Sequence, residues 1–372
     1  MNTRAYWIGF NHVAGIGPQR LKRLQEHFQS LDAAWHASAE ELRRAGLDRR
    51  SIENLVATRA TLDLAAIQTQ LDDLGVAVLT LEDPDYPSLL RELPDAPPVL
   101  YIRGTLTAAD AWAVAIVGTR KASQLGRNMA HQLGRELAEQ GITVISGLAL
   151  GIDAAAHRGA LEGGGRTIAV LPCGIDVIYP PQHRNLAAEI ANQGALLTEF
   201  PPGTQAESKN FAPRNRLISG LALGVVVAEA PEKSGALLTA DSAAEQGREV
   251  FAVPGPPASP LNRGANRLIQ EGAKLVMTVD DILEELNLTR NTPQTRAVVQ
   301  ELAPENDLER CILEALQSTP TALHIDELCR HCGRPVAEVS GTLMLMELKG
   351  MVQQAGTMQY SLAGPRQSYR VD

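Results

Sequence analysis

From Trp112 onward the chain repeats one pattern, a short apolar run rich in β-branched residues followed by a segment of helical length. The runs are AVAIV (113–117), ITVIS (142–146), TIAVL (167–171), ALLTEF (195–200), GVVVAEA (224–230), EVFAVPG (249–255) and KLVMT (274–278). Helix-length pieces such as Leu125–Gln140 and Leu237–Gln246 lie between them. Near-continuous apolar strands joined by helical crossovers bury themselves as a parallel sheet covered on both faces. The pattern predicts an α/β, Rossmann-like domain over residues 107–286.

The flanks follow other rules. Residues 1–80 read as short helices, with Leu21, Leu24 and Phe28 at helical spacing and Leu71 and Leu74 likewise. Within them Val13–Leu24 has the form of a helix-hairpin-helix: Gly15 and Gly17 in the hairpin, then Arg20, Lys22 and Arg23 on a helix. Such a hairpin either offers backbone N–H groups to a phosphate or is an ordinary turn in a small helical bundle. Five prolines from Pro84 to Pro98 exclude a regular helix there. Residues 81–106 are therefore expected to be a connector clamped against a neighbouring domain. Residues 287–306 are polar and unpatterned, an expected linker. Three amphipathic stretches (308–317, 324–331 and 335–349) and a strand pair (351–354 and 359–362) follow, with Gly356-Thr357 at the turn. They predict a winged helix over 307–364, leaving 365–372 as a tail.

Composition narrows the possible ligands. A chain of 372 residues exceeds what one core usually serves, and 44% hydrophobic with 21% charged residues is an ordinary folding composition. The net charge of −9 is spread evenly. Residues 1–106 carry 11 basic against 14 acidic side chains, 107–286 carry 15 against 19, and 287–372 carry 8 against 10. No block attracts polyanions as a whole, so a nucleic acid would need a local positive pocket. No cationic stretch followed by an apolar one opens the chain, and no run of about 18 apolar residues occurs. Together with only four cysteines this leads to the expectation of a cytoplasmic protein with no disulfide scaffold and no membrane partner.

Four turns at the carboxyl ends of the predicted strands carry the polar chemistry. The first is Gly118-Thr119-Arg120, with Ser123 placed to cap the following helix, so that a helix N-terminus offers an anion site. It lacks the Gly-x-Gly-x-x-Gly spacing of a dinucleotide site, which excludes an NAD-dependent oxidoreductase. The second, Ser146–His157, holds the small residues Ser146, Gly147 and Gly151, where backbone can approach a ligand. Asp153 and His157 are four apart there, either an acid–base pair or a dipole-favoured acid beside a packed imidazole. The second reading is preferred, because no nucleophile or metal set accompanies them. The third turn, Lys209–Ser219 (KNFAPRNRLIS), gathers Lys209, Asn210, Phe211, Arg214, Asn215 and Arg216, with a helix expected from about Arg214. Arg214 and Arg216 cannot share a helix face, so one is expected at the anion site and the other on an acid such as Glu199. Cations beside an aromatic suit a single strand, charge for phosphates and a π-face for an unstacked base. The fourth turn adds Lys233, Ser234 and Gly235. Each turn alone is a weak signal. Their convergence on one sheet edge is the argument.

Two other features carry less. Cys329-Arg-His-Cys332, near His324 and Cys311, has no second C-x-x-C, so packed thiols rather than a metal are expected, and no cofactor is implied. Residues 335–349 carry Glu338 and Glu347 against Lys349 and no Arg, Asn or Gln, which suits contact with protein better than base reading.

The segments VAIVGTRKAS, SGLALGIDAAAH, GGGRTIAVLPCGIDVIYPPQH, GALLTEFPPGT, KNFAPRNRLISGLA, KSGALLTA and REVFAVPGP, in this order, resemble the core of the bacterial DNA-processing protein A (DprA/Smf) family. The resemblance implies a non-catalytic homodimer that binds single-stranded DNA and helps load the RecA recombinase in natural transformation and recombination. It also implies a DNA pocket at Arg120, Lys209, Phe211, Arg214 and Lys233 with the glycine turns around them. The same domain looks like the lysine-decarboxylase-like phosphoribohydrolases. The turn Glu232–Thr239 lacks their paired glycines and spaced glutamate, so a nucleotide phosphoribohydrolase is the alternative reading.

Overall fold

The computed structural model describes residues 3–288, 306–318, 322–348, 351–356 and 358–362. The apolar runs form a sheet of nine strands: β1 (Val76–Thr80), β2 (Val99–Gly104), β3 (Ala113–Gly118), β4 (Thr143–Ser146), β5 (Thr167–Val170), β6 (Ala195–Thr198), β7 (Gly224–Glu229), β8 (Glu249–Ala252) and β9 (Lys274–Leu275). Their order is β1-β2-β6-β5-β4-β3-β7-β8-β9. Strands β3 to β9 pair in parallel, while β2 joins β6 and β1 joins β2 antiparallel. From β3 the chain winds outward through β4, β5 and β6, then returns to lay β7 on the other side of β3. The order reverses between β3 and β7, which opens a crevice at their carboxyl ends.

Alternate side chains on each strand feed two apolar layers. Val114, Ile116, Val144, Val226 and Phe251 pack under the helices Gln124–Glu139 and Ile152–Glu162 with Leu133, Leu137 and Ala156. Ala115, Val117, Ile145, Val225 and Val227 face the other way, onto Leu217 and Ile218 of the helix Phe211–Gly220 and Ala236 and Ala240 of the helix Gly235–Glu245.

The connector expected over 81–106 is in part a piece of the sheet. Val99–Ile102 is fully apolar and buried, and it forms β2 despite the prolines just before it. Proline is excluded from a strand only where it sits, so the run after Pro98 pairs freely. The proline-rich loop is held together internally by the Tyr86 hydroxyl, which donates to the Pro97 carbonyl at 2.8 Å, and its Leu90 and Leu93 pack into the same apolar layer as Leu217 and Ile218. The N-terminal helices also share their core with the sheet. Phe10, Leu24 and Trp35 belong to one buried cluster with Tyr101, Leu171 and Leu196, and the Tyr101 hydroxyl donates to Asn11 at 2.9 Å. The described residues through Leu288 thus form one compact unit, and the boundary expected at 107 runs inside it.

The second unit begins in the described residues at Asn306. Helices Asp307–Ser318, Ile325–Cys332 and Val336–Leu348 enclose a core of Ile312, Leu328, Val339 and Met346. Strands β10 (Leu323–His324), β11 (Val352–Gly356) and β12 (Gln359–Leu362) form its sheet in the order β10-β12-β11. This is the winged helix. Thr357 of the expected turn, most of the expected linker and the tail lie outside the described residues. Cys329 and Cys332 pack half-buried on this core, and the Cys332 thiol meets that of Cys311. Among the described residues no helix is long and apolar enough to cross a membrane.

Candidate functional site

The crevice at the β3/β7 switch point is a cleft of about 380 Å³. Gly118, Thr119 and Arg120 from the turn after β3 line one side, and Lys233, Ser234 and Gly235 after β7 line the other. Phe211, Arg214 and Asn215 come in from the helix Phe211–Gly220. That helix starts at Phe211 rather than near Arg214, after a 3₁₀ turn over Ser208–Asn210. Pro213 falls in its first turn, where backbone N–H groups have no helical partner to lose, so it does not delay the start. The earlier start brings the half-buried Phe211 ring to the cleft.

The exposed Arg120 guanidinium lies over the Phe211 ring, 4.7 Å from its centroid. Lys121 lines the same rim and is exposed. The sequence signal for it is its place directly after Arg120 in the same turn. Lys233 is exposed on the opposite rim, where Ser234 caps the helix Gly235–Glu245 by accepting the Ala236 N–H at 3.3 Å.

Arg214 plays a different part. It is buried below Phe211, at 5.8 Å from the ring centroid, and its Nη1 donates to the carbonyls of Gly147 at 2.8 Å and Val170 at 2.7 Å. Burial pulls its pKa down to about 10, opposed by the charge of Asp153, so it stays cationic at neutral pH. Asp153 is itself buried, which pushes its pKa up, while Arg214 and two backbone N–H groups pull it down. Those N–H groups are Gly147 at 3.1 Å and Ala149 at 3.3 Å.

Several expected ligand contacts turn out to be internal. The Ser146 hydroxyl donates to the Ile116 carbonyl at 2.6 Å and is fully buried. Gly147 makes room for Arg214, whose Nη1 would lie 1.9 Å from a Cβ built there. Gly151, at φ +82°, lets the second turn close on the first, where a Cβ would lie 2.4 Å from the Thr119 carbonyl. At the first turn, Ser123 caps the helix as expected, but the anion position is filled by the protein's own Glu229. Its carboxylate accepts from the Ser123 N–H at 2.7 Å and the Ser123 hydroxyl at 2.6 Å, and its backbone carbonyl takes the Thr119 N–H. An acid closing the buried run GVVVAE was the sequence signal for this role.

The remaining residues of the third turn also divide. Asn210 donates to the Gln205 carbonyl at 3.1 Å, and Asn215 to the Gly235 carbonyl at 3.2 Å, so both amides hold loops together. Arg216 points away from the cleft and pairs with Glu199 at 2.5 Å and Asp95 at 3.2 Å, the acid pairing expected for one of the two arginines. Lys209 stands outside the cleft lining, with 76% of its side chain exposed and its Nζ 2.7 Å from Glu207. Asp153 and His157 do not form a pair. The His157 Nδ1 meets the Thr167 hydroxyl at 2.7 Å, and burial drives its pKa down to about 3.

A parallel sheet with a cationic, aromatic-bearing cleft at its switch point, in a chain that ends in a winged helix, defines a Rossmann-like protein equipped for a polyanion. The comparisons with known proteins name the family. Residues 77–287 match the model of the DNA recombination-mediator protein A family, and residues 293–356 match the DprA winged helix domain. The chain belongs to that family. It is 37% identical to the Smf protein of Synechocystis sp., over 96% of this chain and 98% of the relative. It is 45% identical to the DNA processing protein DprA of Streptococcus pneumoniae, over 55% of this chain and 72% of the relative. Among solved structures, the Streptococcus pneumoniae DprA aligns with a TM-score of 0.66 at 34% identity, covering 77% of this chain and 98% of that one. The DNA processing protein A of Helicobacter pylori, solved for its single-stranded DNA binding mode, aligns with a TM-score of 0.52 at 30% identity, covering 57% of this chain and 95% of that one.

Proposed function

We propose that this recombination mediator holds single-stranded DNA in the switch-point cleft and presents it, as a homodimer, to the RecA recombinase. The observation that carries the reading is the stack of Arg120 on Phe211 at a cleft whose far rim bears Lys233. A cation on an aromatic face is worth about 0.5–1 kcal/mol at an exposed site, whereas a nucleobase on such a ring is worth about 1–3 kcal/mol. An incoming base therefore displaces Arg120 from the ring, and the freed guanidinium, with Lys121 and Lys233, takes the flanking phosphates. Binding of this kind needs an unstacked base and so disfavours duplex. At the first two turns phosphate recognition falls to side-chain cations, because the N–H groups of Thr119, Ser123, Gly147 and Ala149 are already engaged.

No general acid or base is needed for this work. Asp153, the one carboxylate among the described residues lining the cleft, is bonded to backbone and neighbours Arg214. Filter binding of oligothymidylate and of its duplex to the full chain and to Arg120→Ala and Phe211→Ala tests the reading. Preference for the single strand with loss in both variants is expected; unchanged affinity in both overturns it. Adding RecA and following filament formation on the bound strand tests the presentation step.

A further inference from the structure

A second cleft lies beyond the first, of about 680 Å³, between the loop 176–181 and the start of the helix Arg184–Gln193. Arg103 at the end of β2 and Arg184 both line it and are exposed. Neither guanidinium has a hydrogen-bond or ion-pair partner among the described residues. The acid facing them is Asp176, whose two carboxylate oxygens accept the Gly203 N–H at 2.9 and 3.0 Å. Two cations against one carboxylate already engaged with backbone leave the cleft positive, in a region where acids outnumber bases.

The two clefts are joined. A hollow of about 90 Å³ lies between them, lined by Arg120, Phe211 and Tyr179, and Tyr179 also lines the second cleft. The Tyr179 and Phe211 rings stand 5.8 Å apart at 77°. Tyr179 keeps 37% of its surface exposed. The surface thus runs from cations through two adjoining aromatic rings to cations again, which is the composition of a track for a single strand. Rings at right angles cannot extend one base stack, so a strand following them turns between the two.

We propose that single-stranded DNA bound at Phe211 continues over Tyr179 into this second cleft, where Arg103 and Arg184 each take a phosphate. The proposal rests on the reading of the first cleft given above and extends its footprint. It is tested with the full chain and two oligothymidylates, one of two nucleotides, too short to reach from Phe211 past Tyr179 to the arginines, and one of twenty. The double variant Arg103→Ala/Arg184→Ala leaves the short strand unaffected and weakens the long one by roughly 10- to 25-fold at 0.1 M salt, the counterion-release factor for two contacts. Its slope of log affinity against log salt is shallower by about 1.4, again for the long strand only. Arg103→Lys/Arg184→Lys retains most of the long-strand affinity. Equal affinity of wild type and double alanine variant for the long strand overturns the proposal, as does an equal loss on both strands. Arg120→Ala serves as the reference: if it leaves short-strand binding untouched, the reading of the first cleft fails and the extension falls with it.

Discussion

The Arg214 guanidinium occupies the space that a side chain at Gly147 would need: a Cβ built on Gly147 would lie 1.9 Å from Arg214 Nη1. The same Nη1 is bonded to the Gly147 carbonyl, so the two residues are locked in both directions. Gly147→Ala must expel a buried cation from its two carbonyl acceptors. The expected cost combines overpacking with lost charged hydrogen bonds, about 2–5 kcal/mol. Denaturant unfolding should give an earlier midpoint, and single-strand affinity should fall as well because Arg214 supports the Phe211 ring.

Arg214 and Asp153 compensate each other inside the unit. Arg214→Met leaves the Asp153 carboxylate buried beside no cation of equal proximity, an arrangement that typically costs about 3–5 kcal/mol. Asp153→Asn keeps an acceptor for the Gly147 and Ala149 N–H groups and removes the charge. The double variant Asp153→Asn/Arg214→Met should therefore unfold later than Arg214→Met alone. A coupling of about 0.5–3 kcal/mol in a double-mutant cycle is the expected result; strict additivity would show that the two charges ignore each other.

The parallel strands were legible because each is an uninterrupted apolar run. β2 was hidden only by the prolines before Val99. The convergence of Arg120, Phe211 and Lys233 followed from strand polarity alone, since every loop at the carboxyl edge of a parallel sheet shares one side. Close approach was legible too, but not its object. Ser146, Gly147 and Gly151 are small because another part of the chain comes near: the Ile116 carbonyl, Arg214 and the Thr119 carbonyl. A linear string does not distinguish a tightly packed neighbour from a ligand. Tyr179 carries no such mark for the converse reason, standing between Ile178 and two prolines with no cation beside it, so that only the folded chain brings it to Phe211.

Lys209 and Lys233 differ in their resting partners. Lys233 stands on the cleft rim, whereas Lys209 is tied to Glu207 by an exposed ion pair of the kind worth about 0–1 kcal/mol. A phosphate can therefore draw Lys209 away at little cost. Lys233→Ala should lower the salt slope of single-strand binding by about 0.7. Glu207→Gln, by freeing Lys209, should tighten binding about 2- to 5-fold, within the strength of the pair it removes. Filter binding across a salt series checks both, and a weaker Glu207→Gln complex would contradict the release.

His157 gives the fold a pH dependence of known sign. The Thr167 hydroxyl donates to the Val144 carbonyl at 2.7 Å, so the imidazole must donate its Nδ1 proton to Thr167, leaving a neutral, buried Nε2 without a partner. Charging that ring is opposed first by burial and then by His183 and Arg214, which holds its pKa at about 3 against an ordinary 6.5. Between these two values the unfolded chain binds the extra proton and the folded one does not. Stability from this residue is therefore complete above pH 6.5 and falls as the pH drops toward 3, by about 2 kcal/mol at pH 5. Glu199 acts with the opposite sign. Burial lifts it to about 7 from 4.5, so its folded form gains stability as the pH falls through that window. The comparison that isolates the imidazole is wild type against His157→Gln, which keeps a donor for Thr167 and cannot be protonated. Urea unfolding at pH 7 and pH 5 should show wild type losing about 2 kcal/mol more than the variant; parallel losses would mean that the ring accepts its second proton in the folded state.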